Sequence, residues 1–222
     1  MQHPFSPLPP ILNAIETAMS PARLARFRSL TSTDRNLALR MYVWNARLCE
    51  EFYIPLQFTE VTLRNGIHQR LQQVFGPNWH VNQKFTSIIP DRHKGDLTNV
   101  VASERAKRGA GFTVDHVIAG LPFGFWQNLM GKGVAHVLWK YNVNAVFPKA
   151  PLGTKREVVF DKLEQLRKFR NNVMHHYAIF DKNPTTEYNN IRTLLNWMCP
   201  HTLWLMGELS NPAAVLARRP QV

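Results

Sequence analysis

The amino-acid sequence predicts an all-α protein, and three observations lead to this prediction. Apolar residues recur at helical spacing along several long segments, whereas no run of useful length alternates between apolar and polar residues as a strand would. Proline and capping residues such as Ser20-Pro21 and Asn183-Pro184 separate these segments. Seven or more helices and no sheet are therefore expected.

The composition indicates one globular domain. The chain has 222 residues, of which 45% are hydrophobic, and it contains six tryptophans and thirteen phenylalanines. Such a chain is long and apolar enough to build a single large core. We expect an extended arm at residues 1–10, one helical domain at residues 11–210, and a flexible tail at residues 211–222.

The main helices are predicted from their apolar stripes. Two long ones follow each other, at about Asp34–Phe52 and about Ile54–Phe75. A third at about His93–Lys107 precedes an aromatic segment at Phe123–Leu129, and residues 131–153 are expected to be irregular. A further helix is predicted over Lys155–Phe180, and a final pair at about Thr186–Met198 and Pro200–Leu209.

The helix predicted over Lys155–Phe180 contains the strongest candidate site. At about 100° per residue, its apolar stripe passes close to Arg170, where a solvent-facing side chain is not expected. Arg170 is therefore either part of a buried ion pair or a ligand for an anion. His175 follows five residues later, about 140° around a regular helix, and His176 is next to it. Arginine binds phosphate and histidine transfers protons near neutral pH, although a pair of histidines at a helix end is also a common capping feature.

An acidic partner for Arg170 is predicted on the second long helix. Glu60 and Arg64 lie four residues apart on its apolar face. We expect Glu60 to pair with Arg170 or with Arg64, as a structural ion pair that holds the arginine. Arg64 and His68 form a weaker second arginine–histidine set, for which a packing role is preferred.

The charge favours an anionic partner. Lysine and arginine total 27 against 15 acidic residues, which gives a net charge of +12. Nucleic acid is the commonest partner of so basic a chain, and solubility alone is the other explanation. Six arginines between Arg23 and Arg47 form either a solvated face or a track for RNA. Further candidates for the RNA backbone are Arg105, Lys107, Arg108 and Arg167.

Several classes of protein are not expected. Cys49 and Cys199 have no metal-binding spacing and are read as reduced thiols, so no metal and no cofactor are predicted. We expect no secretory signal, because residues 1–10 are rich in proline and lack an apolar core. We expect no membrane span either, because no segment approaches the roughly 20 apolar residues that cross a bilayer. A cytoplasmic location without membrane attachment is expected.

The motif around Arg170 resembles a known family. The run from Phe169 to Phe180, FRNNVMHHYAIF, is similar to the Arg-Asn-x-x-x-His-His signature of the Abi-like (abortive infection) family of the HEPN superfamily. Three further segments resemble helices of that family in order and spacing, over roughly residues 10–210: ALRMYVWN from Ala38, EVTLRN from Glu60, and LPFGFWQNL from Leu121. Members often carry an acidic residue and a proline after the paired histidines, where this chain has Tyr177 and Ala178.

The resemblance implies an HEPN-like multi-helix bundle with additional helices, and a metal-independent endoribonuclease of a phage-defence or toxin–antitoxin system. Arg170, Asn171, His175 and His176 would be its catalytic residues. RNA would be its substrate, a homodimer would complete a composite site, and an antitoxin protein is a further expected partner. The alternative is a non-catalytic HEPN-fold module that binds RNA, a nucleotide or a protein.

Overall fold

One long helix organises the chain. The computed structural model describes residues 5–32, 34–140 and 143–221, and every regular element in this part is helical, with no strand. The prediction of an all-α fold is therefore confirmed for the described residues. The helices are α1 (Pro9–Met19), α2 (Pro21–Arg28), α3 (Arg35–Phe75), α4 (Gln83–Ile88), α5 (Asp91–Arg108), α6 (Val114–Gly120), α7 (Phe123–Asn128), α8 (Lys132–Leu138), α9 (Arg156–Met174), α10 (Pro184–Met198), α11 (Pro200–Leu209) and α12 (Pro212–Leu216).

The two long helices predicted between residues 34 and 75 are one helix, α3, of 41 residues. Pro55 lies inside it and has no N–H to donate to the carbonyl of Glu51. The Ser210 hydroxyl donates a hydrogen bond of 2.7 Å to that carbonyl instead. A side chain distant in sequence thus supplies the missing donor, which is why the proline does not end the helix as the sequence suggests.

The main core forms along α3. Its apolar residues Leu63, Ile67 and Leu71 are fully buried, as the periodicity predicts. Helices α7, α9, α10 and α11 pack against α3. The aromatic side chains of α7 face this core, and the rings of Phe52 and Phe169 meet edge to face at 4.8 Å between centroids. The core therefore fixes α9, which carries Arg170, directly against α3, which carries Glu60.

A smaller apolar cluster joins the N-terminal helices to the segment after α9. It contains Phe27 of α2, together with Leu37, Ala38, Met41 and Trp44 of α3. The ring of Phe180 lies 5.7 Å from that of Phe27 and 5.8 Å from that of Trp44. Burial of these rings attaches α2 to the residues that follow the motif.

Four boundaries differ from the predictions. Residues 132–138 form α8 although an irregular segment is predicted there, and residues 212–216 of the predicted tail form α12, which packs on α3. Pro9 and Pro10 belong to α1, while residues 1–4 of the predicted arm lie outside the described residues. Finally, α9 ends at Met174 and not at Phe180. His175 and His176 therefore lie beyond the helix.

Candidate functional site at the end of helix α9

The two histidines of the motif form the C-terminal cap of α9. His175 is the capping residue, and His176 follows it in the left-handed conformation with φ of 58°. The N–H of His176 donates to the carbonyl of Val173, and the N–H of Tyr177 donates to that of Asn172. This pair of bonds is the Schellman motif, which usually has glycine where His176 stands. The capping interpretation of the paired histidines is confirmed, and both side chains are exposed.

Two side chains from distant helices hold this turn. Arg23 of α2 donates through Nη1 to the carbonyls of His175, at 3.3 Å, and His176, at 2.9 Å. A cation at the carbonyl end of a helix is stabilised by the helix dipole. On the other side, the buried Asn45 of α3 donates to the carbonyl of Tyr177 and accepts from the N–H of Ile179. The turn that carries His175 is thereby fixed to both α2 and α3.

Glu60 forms an ion pair with Arg170, one of the two arginines that the sequence offers it as a partner. Nε of Arg170 lies 3.6 Å from Oε2 of Glu60, and the side chains retain 31% and 22% of their exposure. Nε is buried without a hydrogen bond. In the described part of the chain, neither terminal nitrogen of Arg170 donates a hydrogen bond, and neither is buried. Glu60 therefore lies on the Nε side of the guanidinium, and the two terminal nitrogens remain available to an anion.

The side chains of Arg64 and Asn171 form no hydrogen bond or ion pair with Glu60 or Arg170 in the described part of the chain. Arg64 is one helical turn after Glu60, yet no ion pair joins the two within the described residues, and Nε of Arg64 is buried without a partner. Asn171 contributes its backbone carbonyl to the N–H of His175, and its partly exposed side chain has no hydrogen bond in the described part. No hydrogen bond joins Arg170 to His175 in the same region. Together, Glu60, Arg64 and Arg170 carry one net positive charge, which suits an anion.

The residues predicted to contact an RNA backbone are mostly engaged with neighbours. Arg167 is held by both carboxylate oxygens of Glu164 at 2.8 Å. Lys107 and Arg108 both bind Glu104, and Arg105 lies over the ring of Phe112 at 5.1 Å. The hydrogen bond from Lys107 is the main cause that lowers the pKa of Glu104. These pairs lie at the surface, where a phosphate can compete with the carboxylate.

The six arginines between residues 23 and 47 are likewise tied to the fold. Arg28 and Arg35 both bind Glu16 at 2.5 Å, and Arg26 binds Asp181 at 2.6 Å. Arg40 and Arg47 pair with Asp34 and Glu50, and Arg23 holds the histidine turn. This arrangement favours a structural flank over a free RNA track.

The other histidine and cysteine candidates have structural surroundings. His68 accepts a hydrogen bond from Trp79 through Nδ1 at 2.9 Å, and burial lowers its pKa, as expected for a packing role. Both cysteines are free, and burial raises the pKa of Cys49 to about 11. Among the residues that the structure describes, no group of three His, Cys, Asp or Glu side chains is placed to hold a metal ion.

Sequence reasoning missed Arg23 and Asn45 as parts of this site. They lie 152 and 132 residues from the carbonyls that they contact. The cluster of arginines and the ALRMYVWN segment mark both regions as unusual, but no local pattern shows which distant backbone a side chain will bind.

The comparisons with known proteins are negative. No protein-family model, no curated protein and no solved structure matches this chain. In the described part of the chain, no helix combines the length and the apolar character that crossing a membrane requires. Any assignment of activity therefore depends on the residues described above.

Proposed function

We propose that this protein is a metal-independent endoribonuclease of an abortive-infection or toxin–antitoxin system, with its site at the end of α9. The observation that carries the proposal is the state of Arg170. Glu60 lies 3.6 Å from its Nε, and its two terminal nitrogens make no hydrogen bond to any residue that the structure describes. The exposed His175 follows directly after the end of the same helix. A positioned arginine with open nitrogens is suited to bind a phosphate.

The proposed reaction uses the ribose 2′-hydroxyl as the nucleophile. His175 removes the 2′ proton, and the 2′-oxygen attacks the adjacent phosphorus. The bond from phosphorus to the 5′-oxygen breaks, and that oxygen takes a proton from a second acid, either His176 or His175 of a second copy. The products are a 2′,3′-cyclic phosphate and a 5′-hydroxyl. Arg170 stabilises the charge that develops on the phosphoryl oxygens, and Asn171 orients one of them.

The charge of the chain supports an RNA substrate. If every acidic side chain were paired with a basic one, twelve positive charges would remain, because 27 basic residues face 15 acidic ones. Such an excess of positive charge speeds association with a polyanion, and added salt slows this association. A homodimer that completes the site, an antitoxin protein and a cytoplasmic location belong to the same proposal.

A non-catalytic binding module is the second candidate, and the histidine turn favours it. His176 serves as a helix cap, and Arg23 and Asn45 fix the backbone around it, so these residues have a structural role without any chemistry. In that case, Arg170 would bind an RNA phosphate or another anion, and no bond would be cleaved.

One experiment distinguishes the ribonuclease from the binding module. Purified protein is incubated with total RNA in EDTA, as wild type, as His175→Ala and as His136→Ala. His136 is an exposed histidine on α8 outside the site and serves as the matched control. Cleavage by wild type and His136→Ala that falls about 10²- to 10⁴-fold in His175→Ala supports the ribonuclease. RNA binding that weakens with salt, without cleavage in any sample, supports the binding module instead.

The product ends provide a second readout. A 5′-hydroxyl accepts phosphate from a polynucleotide kinase without prior dephosphorylation, whereas a 5′-phosphate does not. Fragments that label directly agree with attack by the 2′-hydroxyl. Fragments that require phosphatase treatment first would contradict the proposed reaction.

A further inference from the structure

Helix α11 exposes an apolar face that nothing in the described chain covers. Its sequence, PHTLWLMGEL, contains several large apolar side chains, yet only Met206 is buried. Trp204 keeps 66% of its exposure, Leu205 keeps 43% and Leu209 keeps 52%. Neighbouring exposed apolar side chains, tryptophan above all, are typical of interaction sites.

The end of α11 is attached to α3, because the Ser210 hydroxyl donates a hydrogen bond to the carbonyl of Glu51. We call the set of Trp204, Leu205 and Leu209 the α11 surface.

The polar residues of α11 indicate which partner fits. At about 100° per residue, His201 and Glu208 lie within about 20° of each other on the helical wheel, in the middle of the exposed face. Trp204 lies on one side of the line that joins them, and Leu205 lies on the other side. His201 and Glu208 are equally distant along the helix from the point between Trp204 and Leu205. An identical helix laid antiparallel across that point brings each His201 opposite the partner's Glu208.

We infer that the α11 surface is the contact between two copies of this chain, related by a two-fold axis between residues 204 and 205. In this arrangement, the side chains of Trp204 and Leu205 from both copies meet at the centre, and the two His201–Glu208 pairs close the ends. A surface that complements itself in this way is the requirement for an isologous dimer. Gly207 leaves room beside the contact, since a Cβ there would meet nothing within 4 Å.

This inference does not depend on the ribonuclease proposal, and the α11 contact is distinct from the homodimer that would complete the site at the end of α9. The α11 surface contains neither Arg170 nor His175, and the polar and apolar groups of α11 complement a second copy whether or not RNA is cleaved. Self-association and RNA cleavage can therefore be measured separately, and either can fail alone.

The first test measures self-association of the full chain by sedimentation equilibrium over a wide range of concentrations. Wild type should form a dimer, and Trp204→Ser should raise its dissociation constant at least about tenfold, because a central tryptophan is a typical hot spot. Leu152→Ser is the matched control, since Leu152 is fully exposed in a loop. A wild type that stays monomeric throughout, or a Trp204→Ser variant that associates as wild type does, overturns the inference.

The second test examines the antiparallel pairing. His201→Glu places a second carboxylate opposite Glu208 of the other copy and should weaken the dimer. Glu208→Lys removes the acidic partner and should weaken it too. The double variant His201→Glu/Glu208→Lys restores opposite charges and should recover association. If both single variants weaken the dimer and the double variant does not recover it, the antiparallel arrangement is wrong. Circular dichroism of each variant verifies that these exposed substitutions leave the fold intact.

Discussion

Two glutamates of this protein, Glu16 and Glu60, each hold an arginine side chain, and they differ in what they leave free. Glu16 binds both Arg28 and Arg35 at 2.5 Å, and its side chain keeps only 10% of its exposure. Glu60 lies 3.6 Å from Nε of Arg170 and forms no ion pair with Arg64 in the part of the chain that the structure describes. The first glutamate uses its arginines to join α1, α2 and α3. The second positions an arginine and leaves its terminal nitrogens open.

The comparison shows how a structural arginine differs from one available to a ligand. The hydrogen bonds from Arg35 and then from Arg28 lower the pKa of Glu16 to about 2, although burial opposes them. Strong mutual bonds of this kind leave little capacity for an anion. At Glu60 the geometry is looser, and an incoming phosphate gains hydrogen bonds without breaking existing ones.

The largest difference is expected between Arg170→Ala and Arg35→Ala. Removing an arginine that stabilises transition-state charge should reduce the RNA cleavage rate about 10²- to 10³-fold. Arg35→Ala should leave the rate unchanged and lower the free energy of unfolding, because Glu16 loses a partner while remaining buried. Single-turnover cleavage and urea denaturation of both variants measure the two effects. Equal cleavage by the two variants would show that Arg170 is not part of a catalytic site.

Glu60→Gln should have a smaller effect on cleavage, because it removes the charge that positions Arg170 but keeps the side-chain shape. We expect a decrease of about tenfold, with little change in stability because the pair is partly exposed. A Glu60→Asp variant, which keeps the charge, should recover part of the activity. A decrease in stability without a change in rate would give Glu60 the same purely structural role as Glu16.

The pH dependence of stability should distinguish the glutamates further. The folded state holds the pKa of Glu16 at about 2, below its ordinary value of 4.5. Its ion pairs therefore stabilise the protein fully above about pH 4.5, and this contribution is lost as the pH falls towards 2. Glu16→Gln should cost about 1 to 3 kcal/mol of unfolding free energy at neutral pH. The difference from wild type should shrink in acid, and a difference that is constant with pH would contradict this origin.

The smallest expected effect concerns the cap of α9. His176 adopts a left-handed conformation that costs a non-glycine residue about 1 kcal/mol. His176→Gly should therefore be neutral or slightly stabilising in thermal unfolding, whereas the β-branched variant His176→Val should lower the melting temperature. If His176 is only a cap, both variants should cleave RNA at the wild-type rate. A loss of cleavage in both would show that His176 is the second proton carrier.

The fold was predictable where the signal is local. The buried stripe of Leu63, Ile67 and Leu71 follows from periodicity. Charges on apolar helix faces indicated that Glu60 pairs with Arg170 or Arg64, and the structure shows the pair with Arg170. The continuity of α3 was not predictable, because the hydroxyl that satisfies the carbonyl of Glu51 comes from Ser210. The end of α9 at Met174 was missed because His176 takes a position where glycine is the usual signal. Arg23 and Asn45 reach the site only through tertiary packing.

The most direct test of the central claim measures RNA binding in a His175→Ala background, where cleavage does not interfere. The logarithm of the dissociation constant is plotted against the logarithm of salt concentration for this protein, with and without Arg170→Ala or Arg35→Ala. If Arg170 binds a phosphate, Arg170→Ala should reduce the slope by about 0.7, the value for one contact to single-stranded RNA. Arg35→Ala should leave the slope unchanged. Identical slopes for all three proteins would contradict the claim that Glu60 holds Arg170 open for a phosphate.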